Sequence, residues 1–198
     1  MIDLVRSHRL VAIIRKPDED EARAAATEVL AAGVRLIEVT MTTPGALGLI
    51  RELAGTWPDA VVGAGTVLTR AGGGGGDREP RARFVVAPNV DRAVIEAAHA
   101  GGAAAMPGAF TPTEALTAMS FGADVVKLYP ASGIGLAAFG DLCRALDQVP
   151  FMPTGGVSVR DAPEWIRAGA IAVGMGDALT RASTAELAGL LTELGGTG

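Results

Sequence analysis

Lys127 ends a short apolar run in VVKLYPAS, Val125 to Ser132, and a proline-containing loop follows it at once. An ammonium drawn into such a run must meet an anion or give up its proton, because burying it unpaired is costly. Of the 17 basic residues only Lys16 and Lys127 are lysines, the rest being arginine. Arginine keeps its proton under ordinary conditions, whereas lysine can lose it and attack a carbonyl, so Lys127 is the residue whose type is wanted for chemistry. Glu38 lies between apolar neighbours in LIEVT. It reads equally well as a buried structural partner of Arg15 or Lys127 and as the acid that imine chemistry requires. In that chemistry the amine attacks a ketone and the carboxyl shuttles protons, with a pKa nearer neutrality than a free Glu.

The surrounding chain alternates short apolar runs with Ala-rich, helix-like segments. Strands are expected at 10–14, 35–40, 60–64, 83–87, 103–106, 124–128, 151–153 and 171–174, with helices at 18–32, 44–54, 91–100, 111–121, 136–147, 158–168 and 184–194. Asp18, Glu19, Asp20 and Glu21 open the first of these helices and Gly33 follows it, which suits the helix dipole and the C-terminal glycine preference. The strand runs lack a clean two-residue alternation, as parallel strands covered by helices should. A single-domain α/β (β/α)8 TIM barrel over residues 1–198 is therefore expected, with an open doubly wound sheet as the alternative. Against that alternative, no G-x-G-x-x-G follows the first strand. Where the third helix belongs, at 70–82, the chain reads RAGGGGGDREPRA; the glycines Gly72 to Gly76, each costing roughly 1 kcal/mol against Ala in a helix, together with Pro80, predict a loop.

In a barrel the active site lies at the C-terminal strand ends. Arg15, Glu38 with Thr40, Gly63 to Thr66, Pro88-Asn89, Pro107-Gly108, Lys127, Thr154-Gly155-Gly156 and Gly174 to Asp177 occupy those places. The loops after the seventh and eighth strands commonly make an anion site from backbone N–H groups. Gly63-Ala64-Gly65-Thr66 reads either as a tight turn or as a set of donors for a substrate carboxylate. His8 and His99 read as surface residues and Cys143 as packing, and no His/Asp/Glu cluster has metal-ligand spacing, so neither metal nor cofactor is expected. A net charge of −5 with both signs interspersed argues against nucleic acid or an acidic membrane. One cysteine and the absence of a long apolar stretch lead to the expectation of a cytoplasmic protein without signal peptide or membrane span.

The segments IEVTMTTPGAL, VGAGTVLT, FVVAPNVD, MPGAFTPTEA, VKLYPAS, MPTGGV and AVGMGDAL, in this order from about Leu10 to Leu179, resemble the 2-keto-3-deoxy-6-phosphogluconate (KDPG) aldolase family, which includes the 4-hydroxy-2-oxoglutarate (KHG) aldolases. The resemblance implies a homotrimeric barrel that is a class I aldolase acting on a small 2-keto acid. It makes Lys127 the Schiff-base residue and Glu38 the general acid/base, with Thr66 helping to hold the pyruvyl carboxylate and Arg15 pairing with the anionic substrate. Tyr129 and Pro88 then line the pocket, and Thr154, Gly155, Gly156, Gly176 and Asp177 lie at the distal phosphate.

One position departs from the pattern. The family commonly has G-S-A-L where this chain has Gly176-Asp177-Ala178-Leu179, placing a carboxylate where a hydroxyl meets phosphate. If the Asp177 side chain turns away, its N–H still serves the ligand; if it does not, a non-phosphorylated substrate such as 4-hydroxy-2-oxoglutarate is preferred. A non-catalytic anion-binding barrel and an isomerase or synthase that uses an acid/base pair without an imine are the competing functions.

Overall fold

A computed structural model describes residues 1–69 and 82–195. Apart from Ala82, the glycine-rich stretch expected to replace a helix lies outside them. The chain forms an α/β fold with parallel strands. In order, these are β1 (Leu10–Ile14), β2 (Leu36–Thr40), β3 (Val61–Gly65), β4 (Phe84–Val86), β5 (Ala104–Met106), β6 (Gly108–Ala109), β7 (Val126–Leu128), β8 (Phe151–Pro153) and β9 (Val173–Met175). The helices are α1 (Ile2–His8), α2 (Glu19–Ala31), α3 (Ala46–Thr56), α4 (Arg92–Ala100), α5 (Pro112–Ser120), α6 (Ala131–Ala145), α7 (Ala162–Arg167), α8 (Asp177–Thr180) and α9 (Thr184–Leu194).

Local chemistry sets several boundaries. Asp18 caps α2 through the Glu21 N–H, and Asp91 caps α4 through Ala93 and Val94. Thr111 with Glu114, and Ser183 with Glu186, form capping boxes at α5 and α9, with Pro112 in the first turn of α5. Helix α6 is kinked at Gly135, whose φ of 73° no L-residue adopts cheaply, so a short turn after Pro130 precedes the expected helix. The expected fifth strand is β5, and Pro107, which has no N–H for a ladder, separates it from an unexpected two-residue β6. Helix α7 is shorter than expected because Ser158 and Asp161 exchange side chain–backbone hydrogen bonds of 2.8 and 3.2 Å, making a turn ahead of Pro163.

The strands run β5-β4-β3-β2-β1-β9 in one sheet and β6-β7-β8 in another. The longer sheet is curled into a half-barrel, and the two sheets meet at both edges. Thr154 bridges Gly174, and the Ile171 N–H donates to the Phe151 carbonyl at 3.0 Å. At the other edge only Pro107 separates β5 from β6, and its carbonyl accepts from the Lys127 N–H at 2.9 Å. Two buried clusters lie on opposite faces of the strands. One joins the strands to the helices through Leu10, Ile37, Leu49, Phe139, Phe151 and their neighbours. The other gathers Val11, Leu36, Val61, Phe84, Met106, Val125 and Met152, with Val5 of α1 packed among them. Because side chains alternate along a strand, the register that places Leu36 and Val125 in this second cluster also turns Glu38 and Lys127 to the same face, nearer the C-terminal strand ends. No helix among the described residues is long and apolar enough to cross a membrane.

Candidate active site

A cavity of about 530 Å³ opens at the C-terminal ends of the strands. Arg15, Thr66, Pro88, Lys127, Tyr129, Thr154, Gly155, Gly156, Gly176 and Asp177, all singled out from the sequence, line it. Glu38 is the exception. It is fully buried, and its carboxylate is packed so tightly behind Gly65 that a Cβ there would overlap it. A second inner-face glycine, Gly174, leaves the corresponding room for the Thr154 side chain.

Lys127 is 4% exposed and borders the cavity, with its Nζ 5.0 Å from the centre of the Tyr129 ring. Loss of solvent pushes its pKa down from the ordinary value; Glu38 opposes that shift and the positive charge of Arg15 adds to it. Burial raises the Glu38 pKa, against the pull of Lys127 and Arg15. Neither Glu38 oxygen has a hydrogen-bond partner in the protein. The structural pairing weighed for Glu38 is therefore not made at contact distance, although both cations act on it through space. Burial thus favours the uncharged form of both groups, the form in which the amine adds to a carbonyl and the carboxyl gives up a proton.

The Arg15 guanidinium is braced from two loops. Its Nη1 donates to Thr42 Oγ1 at 3.0 Å and its Nη2 to Thr66 Oγ1 at 2.9 Å. Thr42 in turn meets the hydroxyl of the buried Thr40 at 3.1 Å, and Thr40 meets that of Thr43 at 3.2 Å. Thr66 has a φ of 56°, a left-handed conformation that is uncommon for a β-branched residue. That backbone carries the Thr66 hydroxyl to Arg15, so the strain accompanies a defined placement of a cation and a hydroxyl.

On the β8–β9 side, Gly155 and Gly156 take φ values of 85° and 88°, and Gly156 passes against Ser132 where a Cβ would not fit. The peptide bond Tyr129–Pro130 is cis. Asp177, the first residue of α8, directs its carboxylate to Arg181 Nη2 at 2.9 Å.

Thr42 and Ser158 also belong to this region, Ser158 lining the cavity and Thr42 bracing Arg15. The hydroxyl-rich run Thr40-Met41-Thr42-Thr43 was the available signal for Thr42; Ser158 stands in a segment that reads as helix. The histidines lie elsewhere: His8 is half-buried on α1, and His99 pairs with Asp124 at 2.9 Å. Burial pushes the Cys143 thiol up to about 11, which suits packing rather than nucleophilic attack. Among the described residues no group of His, Cys, Asp and Glu is arranged to hold a metal ion.

The family model for KDPG and KHG aldolase matches residues 1–190. A 2-dehydro-3-deoxy-phosphogluconate aldolase of Pseudoalteromonas atlantica is 30% identical, over 83% of this chain and 76% of its own. The 2-dehydro-3-deoxy-6-phosphogalactonate aldolase of Escherichia coli is 33% identical, over 87% of this chain and 85% of its own. The crystal structure of the Zymomonas mobilis KDPG aldolase with 3-phosphoglycerate superposes with a TM-score of 0.78 at 28% identity, covering 98% of this chain and 94% of that one. With a family match along nearly its whole length and relatives at this level of identity, the chain belongs to the KDPG and KHG aldolase family.

Proposed function

We propose that the protein is a class I aldolase that cleaves KDPG to pyruvate and glyceraldehyde 3-phosphate through an imine on Lys127. The single observation that carries this reading is the desolvated Lys127 amine opening on the cavity beside the buried, unpartnered Glu38. Neutral Lys127 Nζ adds to the C2 carbonyl, and Glu38 supplies the proton with which the C2 oxygen leaves as water, giving a protonated imine. The C4 hydroxyl then gives its proton to the Glu38 carboxylate as the C3–C4 bond breaks; C4 becomes the aldehyde carbon and the bond pair flows into the imine as an enamine. Glu38 returns the proton to C3, and hydrolysis frees pyruvate and the amine.

Arg15 and Thr66 hold the carboxylate next to C2, and Pro88 and Tyr129 wall the pocket. Thr154, Gly155, Gly156, Gly176 and Asp177 surround the far end. The two sheets are read as one closed (β/α)8 barrel within a single domain spanning 1–198. The support is the hydrogen bonding at both sheet edges and the inner cluster drawn from strands all round the ring. The trimeric form rests on the family resemblance, and the cytoplasmic location on the single cysteine and the apolar patterning of the chain.

Pyruvate release from KDPG tests the reading. Wild type should turn the substrate over. Lys127→Arg, which keeps a cation but cannot form an imine, should lose nearly all activity, and Glu38→Gln should lose on the order of 10²–10⁴-fold, the range of general acid–base contributions. Undiminished pyruvate release in Lys127→Arg would contradict the imine on Lys127, and a wild type that releases none would favour the imine-free isomerase or synthase reading or a non-catalytic anion-binding barrel. KHG cleavage is a second reading, favoured by the presence of Asp177 among the residues of the cavity lining.

A further inference from the structure

The cavity is electrically lopsided. Lys127 borders it from β7, and Arg15 follows β1, the neighbour of β9, but is turned away from β9 onto Thr42 and Thr66 in the loops after β2 and β3. On the side built from Gly155 to Ser158 and from Gly174 to Ala178, Asp177 is therefore the one charged residue in the lining. The cation paired with it, Arg181, is one helical turn further on and does not border the cavity. Both partners are well solvated, at 64% and 77% side-chain exposure, so the pair moderates the negative charge of Asp177 without cancelling it. One backbone donor on this side, the Ser158 N–H, is already bonded to Asp161 Oδ1 at 2.8 Å. A dianionic group placed at this end meets like charge, whereas an alcohol meets an acceptor.

We propose that Asp177 determines specificity at the end of the substrate remote from Lys127. Its carboxylate accepts a hydrogen bond from the terminal hydroxyl of an unphosphorylated 2-keto-3-deoxy sugar acid and disfavours a phosphate dianion, while Arg181 restrains that penalty. This rests on the aldolase reading above. The enzyme then cleaves both kinds of substrate, with a weaker preference for phosphate than a neutral residue at 177 would give.

The measurement is kcat/KM for KDPG and for unphosphorylated 2-keto-3-deoxygluconate, in wild type, Asp177→Asn, Asp177→Ser and Arg181→Gln. The ratio of phosphorylated to unphosphorylated substrate should rise about tenfold in the two Asp177 variants, the size of effect expected when one partly solvated like charge is removed. It should fall roughly twofold in Arg181→Gln, in keeping with the small worth of an exposed pair. A ratio that fails to rise in either Asp177 variant, or that does not fall in Arg181→Gln, overturns the proposal. A wild type that releases pyruvate from neither substrate defeats the aldolase reading itself, and this proposal with it.

Discussion

Lys127 and Glu38 are perturbed in opposite directions by one cause, the loss of water around both. Each shift carries a stability consequence whose sign is fixed. The Lys127 pKa is lowered, so the folded state holds fewer protons than the unfolded one once the pH drops below the ordinary value of 10.5. The fold is penalised progressively until the lowered value is passed. For Glu38 the raised pKa makes the penalty appear as the pH climbs above 4.5. Lys127→Met, which keeps the length of the side chain without its charge, should abolish activity and stabilise the protein by on the order of 1 kcal/mol at pH 7. In thermal denaturation followed against pH, that advantage should shrink as the pH approaches 10.5 from below. An advantage that stays constant over this range would mean that Lys127 is not desolvated. The sequence already marked Lys127 and Glu38 by their apolar neighbours. It could not say that Glu38 lacks a hydrogen-bond partner, because that depends on what the next strand sets against its carboxylate, here the bare backbone of Gly65.

The loops after β1, β2 and β3 are tied together through Arg15, Thr42 and Thr66. Their joint task is to fix a planar cation without neutralising it, since threonine hydroxyls orient a guanidinium and leave its charge for an anion. Thr42→Val removes one brace at nearly constant volume. It should raise KM for the 2-keto acid about fivefold with a much smaller change in kcat, since one hydrogen bond to a charged group is worth roughly 1.5–3 kcal/mol and solvent exposure reduces it. Thr42→Ser should restore wild-type KM. Steady-state kinetics on the three proteins check this; equal losses in kcat and KM effects unrescued by Ser would point to general damage. At this scale the strands β1 and β8 and the helix α9 coincide with the runs read from composition, because hydrophobic continuity and capping residues determine them locally. Elements set by tertiary context did not stand out. Helix α1 has seven residues and only Val5 buried, and α8 has four, so neither carries a periodic apolar stripe. The Thr66 conformation is likewise invisible in the sequence, since a β-branched residue is a poor candidate for positive φ.

For the whole molecule the division of labour runs along the strand axis. At the N-terminal ends, Val5 and the large inner-face side chains fill the space; at the C-terminal ends, glycines and hydroxyls leave the cavity open. Stability and chemistry should therefore be separable. Val5→Ala should cost about 2 kcal/mol, from two lost methyl groups and the void they leave, while KM and kcat of the folded enzyme stay at wild-type values. Denaturant unfolding and kinetics on the same sample would show it, and a changed KM would mean that the two ends are coupled. The alternation of strands and helices made the parallel α/β layout legible from the sequence, because burial on both faces leaves its mark in every strand. The meeting of the two sheets was not legible, because a hydrogen bond such as Ile171 to Phe151 depends on how far the whole sheet curls. The central claim is that this architecture exists to deliver a neutral Lys127 to a keto carbon. Borohydride reduction in the presence of pyruvate, followed by peptide mass spectrometry, tests it most directly. The predicted result is one stable pyruvyl adduct on the peptide carrying Lys127; an unmodified protein, or label on Lys16 instead, would contradict it.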